Sequence, residues 1–124
     1  MTSHYMRCVA RSSFENVFET LSNAFGNIYS KRFSEAHGPL TGIILGEEYY
    51  FRVNSDVAVL IILKEHSTGK TEIEIMSCAG GTGLVGVSYS AHSDYVHEVK
   101  NFLENSGFEV GVVEEIPYFG RKPS

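Results

Sequence analysis

Thr71-Glu-Ile-Glu-Ile-Met-Ser77, running into Cys78-Ala-Gly-Gly-Thr-Gly-Leu-Val-Gly86, is the stretch that decides the fold. Its first half alternates charged and apolar side chains, the period-two signature of a half-buried strand. Its second half contains Gly81-Thr-Gly83-Leu-Val-Gly86, which fits the G-x-G-x-x-G pattern that cradles a pyrophosphate. That pattern works when the glycines open a helix whose N-terminus faces the phosphate. Downstream, however, Val85, Val87 and Tyr89 alternate with Gly86, Ser88 and Ser90, which predicts a strand over 84–90. On that reading the glycines join strand to strand, and a dinucleotide site loses its mechanism.

Outward from this stretch the chain alternates between two periods. His4 to Ala10 reads as a strand, with Met6, Cys8 and Ala10 opposed to Tyr5, Arg7 and Val9. Ser12 and Glu15 form a capping box for a helix near 13–25, with Phe14, Val17, Phe18, Leu21 and Phe25 on one face. Gly26 is expected to end it as a left-handed cap. Ile28 to Phe33 suggests a short strand before a turn-rich loop ending at Pro39, and Tyr49 to Val53 suggests another. Val57 to Leu63 is almost wholly apolar, as in a central strand covered on at least one face. His66 to Gly69 makes a hairpin loop into the strand that carries Ile73 and Ile75 inward and Glu72 and Glu74 outward. A second helix is expected near 94–105, placing Val96, Val99 and Leu103 with Tyr95 and Phe102 on one face and His97 on the polar one. Gly107 caps it, a strand follows from Phe108 to Val113, and a loose tail starts at about 117. These elements define a two-layer α+β sandwich, a mainly antiparallel sheet with two amphipathic helices on one face. Residues 1–124 make one domain, with a core that includes Val59 and Ile61.

The segment from Tyr50 to Val110 resembles a family of small uncharacterised prokaryotic α+β domains. Ile73, Ile75, Ser77, Gly80-Gly81 and the helix from Asp94 to Leu103 carry the likeness. The resemblance implies a fold and no activity. The opening from Arg7 to Phe25 also looks like the start of helix-grip lipid-binding domains, which close on one long helix where this chain adds a strand.

Composition narrows the function. The net charge is −5; residues 1–62 hold five basic and six acidic side chains, and residues 63–124 hold five and nine. Neither half offers the basic surface that phosphate backbones require, so nucleic acid is not an expected partner. The longest apolar run is too short to span a bilayer, the N-terminus has no secretory pattern, and Cys8 and Cys78 belong to no disulfide or metal framework. A cytoplasmic protein with reduced thiols is the expectation.

The glycine run reads first as a turn or bulge, where positive φ favours glycine. The alternative is a small-ligand site, or a minor enzyme, built on Cys78, Gly80, Gly81, Thr82 and Gly83, whose successive N–H groups can form an anion nest. Five histidines show no H-x-x-x-H or H-E-x-x-H spacing, and the adjacent acids of Glu114-Glu115 point to opposite faces of a strand. No catalytic residue, metal ligand or cofactor is therefore assigned. The sheet's second face, bearing Tyr5, Arg7, Glu72 and Glu74, is left to solvent or association. A non-catalytic homodimer with Tyr50 or Arg52 in its contact is the reading that results.

Overall fold

A computed structural model describes residues 2–34, 36–50, 55–78 and 85–120, with side-chain surroundings for 4–34, 36–48, 56–77 and 94–117. The elements are β1 (Thr2–Ala10), α1 (Phe14–Phe25), β2 (Tyr29–Phe33), β3 (Thr41–Tyr50), β4 (Ser55–Ser67), β5 (Lys70–Cys78), α2 (Val85–Asn105) and β6 (Val110–Gly120). The strands form one six-stranded sheet in the order β2-β3-β4-β5-β1-β6, antiparallel at every pairing. The α+β class expected from the sequence is the class observed. Both helices pack on one face, because the buried rows of the strands lie against them. Met6, Cys8 and Ala10 meet Val57, Val59, Ile61, Leu63, Ile73 and Ile75 beneath Phe14, Val17, Phe18, Leu21 and Phe25 of α1 and Tyr95, Val96, Val99 and Leu103 of α2.

Helix α1 starts one residue later than the capping box suggests. Ser13, not Ser12, is its N-cap, and its Oγ accepts the Asn16 N–H at 3.3 Å. Gly26 ends the helix at φ −88°, so it is not a left-handed cap; its N–H instead bonds the Ser22 carbonyl at 2.9 Å. Glycine is still required close by. A Cβ on Gly46 would lie 1.8 Å from the Phe25 carbonyl oxygen, so the end of α1 rests directly on the backbone of β3. The stacked Phe14 and Phe18 rings, 5.7 Å apart, likewise occupy the space over Gly42.

Three sequence expectations are corrected. First, 85–90 is helix, not strand: α2 begins at Val85. The spacing Val85, Tyr89, His92, Val96, Val99, Leu103, at steps of four and three, continues the helical period into that segment and outweighs the short alternation. Second, β6 runs to Gly120, where a loose tail from 117 was expected; Phe119 and Gly120 pair with Ser3 and Thr2. Pro117 is tolerated because β6 is an edge strand with a bulge between the Ser3 and Tyr5 pairings. Third, where a strand was expected from Tyr49 to Val53, β3 begins at Thr41 and pairs with β4 over ten residues to Tyr50, although Ile43 to Glu48 carries no clear alternation; 51–53 lie outside the described residues. The strand over 29–33 and the hairpin glycine Gly69, at φ +79°, agree with expectation, as does Gly107 at φ +98° beyond α2. No helix among the described residues is long and apolar enough to cross a membrane.

Candidate functional site

Two features of the described residues lie beyond core packing, one on each side of the sheet. On the side away from the helices, strand alternation presents Ile43 and Leu45 of β3, Leu60 and Ile62 of β4 and Met76 of β5, the rows opposite buried Ile44, Ile61 and Ile75. The register sets Ile43 beside Ile62 and lines up Leu45, Leu60 and Met76 across three strands. All five are half-buried. They form a continuous apolar stripe, with no described element over it.

Beside the stripe the same face turns polar. Tyr5 is itself buried, and its hydroxyl donates to Glu74 at 2.7 Å. Arg7 stands 3.7 Å from Glu72 and 3.6 Å from Glu114. Burial first, then the Glu74 hydrogen bond and carboxylate charge, push the Tyr5 phenol up to about 12. Of the residues assigned to this face from sequence, Tyr5, Arg7, Glu72 and Glu74 are found on it; Arg52 and the Tyr50 side chain lie outside the described residues.

On the helix side, three chain-distant residues converge at the sheet's β6 edge. His4 belongs to the inward row of β1 with Met6 and Cys8, and is 2% exposed. Glu115 pairs opposite Met6, so it is diagonal to His4 on the same face. His97 extends from α2, one residue past buried Val96. Both imidazoles donate through Nε2 to the same carboxylate oxygen, Oε2 of Glu115, His4 at 2.5 Å and His97 at 2.8 Å. The rings meet edge to face, with centroids 5.6 Å apart. Burial alone would raise the Glu115 carboxyl, but the hydrogen bonds and charges of the two histidines outweigh it and hold it below the usual carboxylate range. The Glu114-Glu115 pair does split across the strand, one acid to Arg7 and one to the histidines.

Histidine spacing misses this cluster, because its members come from three elements, 111 and 18 residues from Glu115. A signal was nonetheless present. His4 shares the parity of Met6, Cys8 and Ala10, so an inward-facing strand row included an imidazole that needed partners. The residues singled out from sequence fare differently. Gly80, Gly81, Thr82, Gly83 and Arg52 lie outside the described residues, and so do the side chains of Cys78 and Tyr50. Cys78 ends β5 opposite Ala58, and Tyr50 ends β3 opposite Ser55. Cys8 is a free, buried thiol, pushed up to about 12 chiefly by burial.

No family model matches the chain, and no curated protein matches it.

Proposed function

We propose that this protein is a non-catalytic, cytoplasmic association module whose first partner is a second copy of itself, bound through the open face of the sheet. The observation that carries the proposal is the apolar stripe of Ile43, Leu45, Leu60, Ile62 and Met76. Antiparallel sheets that face water on one side normally alternate apolar and polar residues. Strand β4 instead presents Val59 and Ile61 to the core and Leu60 and Ile62 to the other face, the pattern of a strand covered on both sides. A two-fold axis through such a stripe brings each apolar residue against the same surface of the partner, and closed symmetric dimers are the commonest assembly. The row of Arg7 with Glu72 and Glu114 then lies at the rim, where charges fix orientation. Light scattering on the purified chain at micromolar concentration tests the assembly. Twice the 13.8 kDa chain mass is the expected result, and a mass of one chain at all concentrations overturns it.

A second reading, a small-ligand site at Cys78–Gly83, is favoured by one observation: α2 is helical from Val85, two residues beyond Gly83 in the sequence, and anion sites are built where a glycine-rich segment precedes a helix N-terminus. A dinucleotide gains less from it. β5 lies between β4 and β1, both antiparallel to it, whereas the dinucleotide fold places the crossover between neighbouring parallel strands. Native mass spectrometry that finds a stoichiometric small anion on the purified protein would favour this second reading.

A further inference from the structure

We infer that His4, His97 and Glu115 form a binding site for one divalent transition-metal ion of the zinc type. Their donor atoms lie within 4.8 Å of one another, and two imidazole Nε2 atoms already aim at one carboxylate oxygen. An ion with bonds of about 2.0–2.2 Å holds its donors roughly 3–4 Å apart. The Nε2–Oε2 spacings of 2.5 and 2.8 Å open to that range when the Glu115 carboxylate withdraws by about 1 Å. Rotation of the partly exposed His97 ring brings its Nε2, within 4.8 Å of the other donors, to the same ion. Each imidazole then coordinates as its Nδ1–H tautomer, offering the Nε2 lone pair in place of the shared proton.

The surroundings match the requirement. His4 is anchored in a strand and buried, so one ligand is fixed before the ion arrives. The side chains of His97 and Glu115 are 42% and 32% exposed, which leaves a route from solvent and room to adjust. His97 also lines an open groove of about 480 Å³ along α2, together with Asp94, Glu98 and Asn101. Two imidazoles and one carboxylate select zinc, cobalt or nickel over magnesium and calcium, which prefer oxygen ligands throughout. Three protein ligands leave the fourth tetrahedral position to water. The site sits on the helix side of the sheet and is independent of the proposed dimer face.

The test is calorimetric titration of zinc chloride into the full-length, tag-free, chelator-stripped protein, with cobalt(II) absorption as a second readout. One zinc per chain is expected, with no response to magnesium at the same concentrations. Cobalt should give the intense visible bands of a tetrahedral site. His97→Ala removes a half-exposed ligand and should leave the melting temperature of the metal-free protein nearly unchanged. It should weaken zinc by more than about 100-fold, beyond the 10–100-fold typical of losing an outer partner, and abolish the cobalt bands. Glu115→Gln should do the same. Wild-type protein that takes up no zinc, or zinc binding that survives both substitutions, overturns the assignment.

Discussion

Phe18 shows what single side chains contribute. It stacks on Phe14, lies over Gly42, and carries the Arg32 guanidinium 5.6 Å from its ring, so one residue joins α1 to β3 and to edge strand β2. Phe18→Ala should lower unfolding free energy by about 3–5 kcal/mol in urea titration, the range for a deleted core aromatic. Tyr5 gives a pH signature. Its phenol rises from 10.0 in the unfolded chain to about 12 in the fold, so the folded state favours the neutral form. The stability this confers is complete below pH 10 and is lost as pH climbs from about 10 to about 12, up to about 3 kcal/mol. Urea unfolding of wild type and Tyr5→Phe at pH 8 and at pH 11 isolates it: wild type should lose more stability than the variant between the two. At this scale the sequence was highly legible. Every residue placed in the core from periodicity, from Phe14 to Leu103, is buried, because each occupies a face that the helix or strand period alone determines.

Elements were legible where their period was long and their ends chemically marked. Helix α1 had five apolar residues on one face and serines at its start. The remaining ambiguity was which serine caps it, and the structure separates the two. Ser13→Ala should cost about 1 kcal/mol in thermal or urea unfolding, whereas Ser12→Ala should cost little, since only the Ser12 carbonyl is engaged, by the Thr71 hydroxyl. Helix α2 was harder, because six residues that alternate as a strand also continue a helical spacing, and local pattern cannot choose between the two. Strand β3 was obscured by Gly42 and Gly46, which serve close packing against α1 and interrupt the alternation. The join from α1 to β2 was hidden for another reason. Asn27 donates to the Glu47 carbonyl and accepts the Glu47 N–H, both at 2.9 Å, so a side chain does what backbone pairing would do. Strand β6 continues past Val113, where the sequence pattern ends it, and runs through Pro117, a residue that an edge position and a bulge accommodate.

At the scale of the molecule, the sheet has two different faces, and they carry the two functional proposals. The charged part of the outer face was readable, since Glu72 and Glu74 alternate with core residues. Its apolar part depends on register: Ile43, Leu45, Leu60, Ile62 and Met76 become one surface only when three strands are aligned. The histidine cluster likewise needs β1, α2 and β6 to meet, a matter of topology that spacing along the chain does not encode. The central claim is that the apolar stripe is a self-association surface, and Ile62 lies within it, directly beside Ile43. Sedimentation equilibrium of wild type and Ile62→Glu, over the same concentration range, tests this most directly. A wild-type dimer and a folded Ile62→Glu monomer are the predicted results. A wild type that sediments as a monomer, or a dimer as tight in Ile62→Glu as in wild type, would contradict it.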